Sequence, residues 1–394
     1  MKKILISSAL AALMVAPSLG FEVYNADETK VDVYGSIRGY VGAGSNSSYQ
    51  GQGQDTGYLF GLQDNSQFGV KFSSGKFKAN IEFGAVEPSI AGQNQQNNRN
   101  VTSYRQFWGS YTTDFGTFLF GKTNTPTIDN GFTSDWVNND NGGNGFGFIA
   151  TGSRKIQFQY LIGGFALALV EDQLAAGRNG NADGQANQES PRIAVAYEIK
   201  DEKKKPFFKI AATYKYYNSG NIADGVPAGT NAYHGWVAVK PSFGNMFVSV
   251  MAHYGKNGHL YGEQRTNFSV GGYSHQEIAA GLDAQRVGAR LEFGVNFTKE
   301  IGLVLGGGYT STSKGSNQKD NTNVAGANPA GDNSGSISSY SAFIQLPYKV
   351  SKNFSFIPQV SYYETKAAKA SAQIVNGGDK EAGLIAGARI RWDF

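Results

Sequence analysis

The feature that most constrains this chain is a strict two-residue alternation of apolar and polar side chains, repeated in segments of about ten residues. From Val287, one face reads Val287, Ala289, Leu291, Phe293, Val295 and Phe297, and the other reads Gly288, Arg290, Glu292, Gly294 and Asn296. Phe208, Ile210, Ala212, Tyr214 and Tyr216 alternate in the same way with Lys209, Ala211, Thr213 and Lys215. Phe77, Ala79, Ile81 and Phe83 alternate with Lys78, Asn80 and Glu82. Successive side chains of a strand point to opposite faces, so this period makes a sheet with one apolar face; a helix would scatter the same residues around its circumference. The pattern predicts strands near Lys30–Val41, Ser66–Ser73, Phe77–Val86, Tyr104–Tyr111, Thr117–Lys122, Lys155–Leu161, Phe165–Asp172 and Pro191–Lys200. Further strands are predicted near Phe207–Tyr217, Tyr233–Lys240, Phe247–Lys256, Arg286–Thr298, Leu303–Thr312, Ile337–Tyr348, Phe354–Tyr363 and Glu381–Phe394.

The connections alternate in length. Tight turns at Ser74–Lys76, Thr113–Gly116, Ile162–Gly164, Asp201–Pro206, Ser242–Asn245, Lys299–Gly302 and Ser351–Asn353 are separated by long polar segments such as Thr123–Gly152, Asn257–Asp283 and Ser313–Ser336. Short turns on one side and long loops on the other distinguish an outer-membrane barrel from a soluble β-sandwich. Hydrocarbon offers no partner to a free N–H or C=O, so a sheet crosses it only as a closed barrel. The fold expected is all-β: a transmembrane antiparallel barrel of about sixteen strands, wide enough to hold water, with short periplasmic turns and long extracellular loops. An Arg or Lys turned to lipid at mid-membrane costs roughly 2–4 kcal/mol, so the polar phase of each strand faces the lumen. An even strand count puts both termini in the periplasm, with Trp392 and Phe394 in the periplasmic aromatic girdle.

Composition agrees. Residues 1–20 carry Lys2 and Lys3, an apolar run from Ile4 to Ala16, and small residues at Ser18 and Gly20, the pattern of a secretory signal peptide. Residues 21–394 then form a single barrel domain. Removing the two lysines from 35 basic residues leaves 33 against 31 acids, with no charge excess to favour nucleic acid. The mean hydropathy of −0.35 and a longest mature apolar run of Leu161 to Val170 exclude a helical membrane protein. Cysteine is absent, so stability rests on the backbone hydrogen-bond network and not on cross-links.

Particular residues resemble those of a known family, the trimeric general porins of Gram-negative outer membranes. Val33-Tyr34-Gly35-Ser36-Ile37-Arg38 resembles their first strand and Asn65-Ser66-Gln67-Phe68-Gly69-Val70-Lys71 their second. Arg105-Gln106-Phe107-Trp108-Gly109-Ser110-Tyr111, with Asp114-Phe115-Gly116-Thr117 and Gly121-Lys122, resembles the fourth and fifth. Ala388-Arg389-Ile390-Arg391-Trp392-Asp393-Phe394 resembles the last, with its terminal aromatic. The resemblance implies sixteen strands, a third long loop (here residues 123–152) folded inward to narrow the channel, and a homotrimer passing small hydrophilic solutes and ions through a lipid bilayer bearing lipopolysaccharide. A channel selective for one solute class and a plugged barrel acting as adhesin or scaffold remain alternatives.

Candidate residues follow from the strand phases. Arg38, Lys71, Arg389 and Arg391 come from the last, first and second predicted strands and form one basic patch once the barrel closes. Asp129, Asp135 and Asp140 in the inward loop offer opposing charges. Other lumen positions are Lys78, Glu82, Arg192, Lys209, Lys215, Arg290 and Glu292, with Glu198 on a strand and Asp32 and Asp393 near the periplasmic rim. Arg105 shares its period with Phe107 and Tyr111, so it needs a bulge or a rim position to face water. The small lipid-phase residues Gly35, Gly39, Ala386 and Ala388 mark a subunit contact, because small side chains let two protein surfaces approach closely in a membrane. No catalytic constellation, cofactor motif or metal-ligand spacing is present: His234, His253, His259 and His275 are scattered, and the Asp129–Gly145 run lacks the spacing of a calcium loop.

Overall fold

The computed structural model describes residues 20–46, 55–63, 66–85, 102–129, 131–139, 147, 154–171, 190–202, 204–217, 229–261, 267–270, 273–276, 283, 285–313, 336–367 and 380–394. The strands, in chain order, are β1 (Phe21–Ala26), β2 (Thr29–Asn46), β3 (Asp55–Leu62), β4 (Gln67–Ser74), β5 (Phe77–Ala85), β6 (Thr102–Thr113), β7 (Gly116–Asn124), β8 (Arg154–Ile162), β9 (Phe165–Val170), β10 (Arg192–Lys200) and β11 (Pro206–Tyr217). They continue as β12 (Thr230–Val239), β13 (Ser242–Phe243), β14 (Met246–Lys256), β15 (Asn267–Val270), β16 (Tyr273–Gln276), β17 (Gln285–Asn296), β18 (Gly302–Ser313), β19 (Ser336–Gln345), β20 (Tyr348–Lys349), β21 (Phe354–Ala367) and β22 (Lys380–Asp393).

Each wall strand pairs antiparallel with the next, and β2 pairs with β22, so the sheet closes on itself as a barrel of 16 strands. β3 and β4 count as one wall strand, since β3 pairs with the outer half of β2 and β4 with its inner half. β1 runs back along the start of β2 in line with β22, and Gly35 N–H donates to the carbonyl of Phe394 at 2.8 Å. β13 and β20 extend periplasmic turns, while β15 and β16 form a separate hairpin. All sixteen predicted segments are wall strands. The alternation missed β1, β3 and the end of β2 beyond Val41. At the end of β2 the inward phase is glycine at Gly42 and Gly44, and a Cβ at Gly42 would stand 2.4 Å from the Ala386 carbonyl oxygen, so close backbone approach replaces the apolar signal. The segment after β14, read as one long loop, contains the β15–β16 hairpin and a short 3-10 helix, Gly258–Tyr261.

The phases fall as the lipid argument requires. On β17 and β11 the apolar residues are exposed on the outer face and Arg286, Arg290, Glu292, Lys209, Thr213 and Lys215 are buried on the inner one. Outward aromatics gather at the two ends of the strands: Phe115, Phe207, Phe243, Trp392 and Phe394 at the turn side, and Tyr216, Tyr254, Tyr309 and Tyr340 at the loop side. Aliphatic residues such as Ile210, Val250, Leu291 and Leu305 lie between, giving an apolar band flanked by two aromatic girdles. Gly75 and Gly163 take positive φ in two-residue turns, the conformation a tight hairpin demands.

Gly35 has a specific role in closure. A Cβ there would lie 2.3 Å from the ring of Phe394, so the terminal aromatic packs directly on this glycine. Gly35→Val should lower the yield of heat-resistant folded barrel on unheated gels, because overpacking costs about 1–3 kcal/mol. Gly57→Ala, where nothing stands within 4 Å of the new Cβ, should leave it unchanged. Equal yields from both variants would show that the Phe394 contact does not support closure. Topology is checked by membrane-impermeant thiol labelling of intact cells, which should modify Ser313→Cys but not Asn353→Cys.

Candidate functional site

The segment from residue 125 that follows β7 turns into the barrel and runs along the inner wall. Its backbone is held by wall donors in sequence. Trp236 Nε1 donates to Thr127 O at 2.9 Å, Lys209 Nζ to Ile128 O at 2.6 Å, and Lys240 Nζ to Gly131 O at 2.7 Å. Ser249 Oγ donates to Phe132 O at 2.5 Å and Gln345 Nε2 to Ser134 O at 2.7 Å. Glu292 accepts from Thr133 Oγ1 at 2.6 Å and from Ser134 N–H at 2.8 Å. Irregular backbone has no internal partners of its own, so a loop inside a barrel needs such a series of side chains to hold it.

Apolar contacts fix the same path. Phe132 is fully buried among Ala196, Ala211, Trp236, Ala238 and Met251, and the alanines on the inward phase make room for its ring. Trp136 and Val137 pack on Leu59, Tyr363 and Ile385 across the lumen. Gly147 returns to the wall, donating its N–H to Thr310 Oγ1 at 2.6 Å; at φ +85 its missing Cβ would be 2.3 Å from Ala289 O.

The loop acids are placed against the wall. Asp129 and Arg290 are both fully buried, with Oδ2 and Nη1 3.5 Å apart, and Arg290 Nε lies 3.5 Å from Glu292. Burial raises the Asp129 carboxyl above its ordinary value, against the pull of Arg290 and Lys209. A desolvated pair of this kind fixes geometry more than it adds stability. Asp135 accepts from Gln359 Nε2 and from Tyr363 OH, the latter at 3.3 Å. Asp129, expected to oppose the basic wall across the constriction, is therefore a tether to β17, and Asp135 is a tether to β21, the strand beside the β22 that carries Arg389 and Arg391. Asp140 lies outside the described residues.

The residues expected to form a basic wall lie on β2, β4 and β22, next to the β21 strand that holds Asp135. Arg38 on β2 stands directly across from Arg391 on β22, and Tyr40 from Arg389. Arg38 Nε donates to Ser36 Oγ at 3.1 Å and Arg391 Nε to Asp393 Oδ1 at 2.8 Å, which aims both guanidinium groups. Just before β4, Ser66 Oγ accepts from Arg38 N–H at 2.9 Å. Lys71 stands opposite Asp32, with its Nζ 4.3 Å from the centre of the Tyr34 ring. These four basic residues are only partly buried, whereas Arg192, Lys209, Lys215 and Arg290 are at most 6% exposed, beneath inward segments of the chain.

The remaining expected residues divide the same way. Lys78 is half-buried near the β4–β5 turn. Lys215 Nζ donates to Ser190 O at 3.0 Å, and Lys209 Nζ lies 3.7 Å from Glu198. Glu82 accepts from Tyr34 OH at 2.8 Å and pairs with Arg105 Nε at 2.9 Å. The register shifts at Glu82/Phe83, and this bulge turns Arg105 inward although Tyr104 and Phe107 stay outside. On the outer face, Gly39 lies beside Gly61 O, Ala386 is exposed and Ala388 is covered to 6% exposure. Sequence reasoning missed Trp136, Gln345 and Gln359, whose tethering role depends on a loop path no periodicity encodes. It also missed the inward turn after β14, where Tyr261 OH meets His234 Nδ1 at 2.8 Å.

No family model matches the chain. It is 26% identical over 278 residues to outer membrane protein YedS of Escherichia coli, covering 67% of this chain and 70% of that protein. It is 31% identical over 127 residues to outer membrane porin C of Serratia marcescens, a match to 30% of that protein. The fold is shared with the outer membrane channel DcaP of Acinetobacter baumannii, at a TM-score of 0.58 and 15% identity over 94% of this chain and 99% of that one. It is shared also with an anion-selective porin from Comamonas acidovorans, at a TM-score of 0.53 and 13% identity over 93% and 100%. A closed 16-stranded barrel with an inward loop, similar in sequence and fold to such proteins, is a channel of the outer membrane, and the chain resembles the porins of Gram-negative bacteria.

Proposed function

We propose that residues 21–394, released from a signal segment at 1–20, form a non-enzymatic pore that passes small hydrophilic solutes and ions by diffusion, with a mild preference for anions. The observation that carries the preference is the register of Arg38 against Arg391. Like charges directly opposite one another weaken a sheet, so their pairing at the lumen surface favours a role in the pore over a role in the fold. A unit charge at ~10 Å in water is worth only about 0.4 kcal/mol. Arg38, Lys71, Arg389 and Arg391 acting together reach roughly 1–2 kcal/mol before salt screening, a few-fold effect that fades at high salt. Asp129, paired with Arg290 on β17, adds little opposing charge to this field.

The assembly proposed is a homotrimer in a bilayer bearing lipopolysaccharide, with the subunit contact around the barrel closure at Gly39, Ala386 and Ala388. Gly35 contributes beneath Phe394 instead of through an open surface. Bulky replacements at Gly39 and Ala388 should weaken oligomers on unheated gels; an unaffected oligomer would place the contact elsewhere.

Two measurements test the pore itself. In planar bilayers across a potassium chloride gradient, Arg38→Ala with Arg389→Ala should shift the reversal potential towards cations, and an unchanged potential would remove this wall from the narrowest point. Glu292→Ala takes away both hydrogen bonds to Thr133 and Ser134. Hydrogen bonds to a charged group contribute about 1.5–3 kcal/mol, so the loop should loosen. Liposomes carrying this variant should admit larger sugars than wild type. The same size cut-off in both would mean that the tether does not set the constriction.

A further inference from the structure

The chain turns into the barrel a second time directly after β14. Asn257, the next residue, takes φ +58, a left-handed conformation that asparagine adopts more readily than most residues. Its buried side chain fixes the turn on two sides. Nδ2 donates to Asn231 O at 2.8 Å, and Oδ1 accepts from Asp283 N–H at 2.7 Å. The short 3-10 helix Gly258–Tyr261 follows. Tyr261 ends it, 3% exposed, with its OH 2.8 Å from His234 Nδ1 and its ring centre 4.9 Å from the Arg192 guanidinium. Both partners are buried on the inner phase, His234 on β12 and Arg192 on β10, so this one side chain reaches across β11 between them.

Two strand spacings separate β10 from β12, about 10 Å of inner wall. Over that span Ala194, Thr213 and Ala232 face the lumen, yet each is at most 4% exposed. Small inward side chains leave depth for chain lying over them, as the alanines around Phe132 do for the third loop. Trp236 stands two residues along β12 from His234, about 7 Å nearer the periplasm. It donates to Thr127 O of the third loop at 2.9 Å. The inner face of β12 therefore carries both inward segments, the third loop below and the turn after β14 above it. At the barrel closure, by contrast, the inward residues Arg38, Tyr40 and Arg389 stay partly exposed.

We propose that the turn after β14 is a second constricting segment, held by Tyr261, which narrows the channel on the loop side of the third loop by filling the lumen against β10, β11 and β12. Ions then meet two narrowings in series, and Tyr261 is a permeability-determining residue of the pore. An aromatic side chain with a polar tip suits this task. Its ring packs on the Arg192 cation and its hydroxyl finds a partner on another strand, which fixes both the position and the tilt of the turn. The inference rests on the barrel being a diffusion pore, and neither on its ion preference nor on the third-loop tether at Glu292.

The test is single-channel conductance in planar bilayers, on protein shown to be folded by its heat-resistant band on unheated gels. Tyr261→Ala should give a larger conductance step than wild type. Tyr261→Phe keeps the ring over Arg192 and loses only the bond to His234, so its step should stay closer to that of wild type than the alanine variant's does. Resistances in series add, so Tyr261→Ala combined with Glu292→Ala should conduct more than either single variant. If Tyr261→Ala does not fold, Tyr261→Leu decides, since it keeps apolar bulk without the ring or the hydroxyl. An unchanged step in the folded Tyr261→Ala or Tyr261→Leu protein, beside a wild type that conducts, would overturn this proposal and leave the pore reading standing. A wild type that forms no channel would overturn both.

Discussion

Everything in this molecule depends on the requirement that each backbone N–H and C=O within the hydrocarbon find a partner in the protein. The requirement is met only when β2 and β22 join, a pairing that runs from Ser36↔Asp393 to Asn46↔Gly383. β1 continues the same edge, so no part of β2 is left open. The Phe394 ring on Gly35 is therefore part of closure itself. Once the sheet is closed, the two-residue period has a single solution: the apolar phase meets lipid and the polar phase is enclosed.

Closure creates a second problem, an interior full of polar side chains that water or protein must satisfy. The third loop solves it for part of the wall. Trp236, Lys209, Lys240, Ser249 and Gln345 each donate to a loop carbonyl, and Glu292 accepts from the loop. The same contacts that satisfy the loop remove Lys209, Arg290 and Glu292 from the channel surface. The loop reaches β3 and β22 as well, where Trp136 and Val137 pack on Leu59 and Ile385, but the basic side chains Arg38, Lys71, Arg389 and Arg391 on β2, β4 and β22 remain partly exposed. Charge available to a passing ion is decided by which charges the loop covers and not by the number of lumen-phase charges.

Irregularities in the wall set the aim of individual residues. The break between β3 and β4 brings Ser66 to the backbone of Arg38. The shift at Glu82/Phe83 carries Arg105 across the sheet to its carboxylate partner. Of the two, only the shift puts a cation on the inner face where strict alternation would not.

By itself the sequence determined the barrel, its sixteen wall strands, the side on which the loops lie, and which phase of each strand faces the lumen. These follow from a local period read against a solvent that forbids unpaired backbone and charged side chains. The need for a bulge at Arg105 was also legible, because one residue out of phase with its strand is a local fact. The partners of the loop were not. Asp129 and Arg290 are 161 residues apart and Asp135 and Tyr363 228 apart, and no local pattern distinguishes an acid that faces water from one that meets a wall strand. Only the tertiary structure decided which lumen charges are spent on anchoring and which stay at the pore surface, since burial of a charge depends on what the closed barrel folds over it.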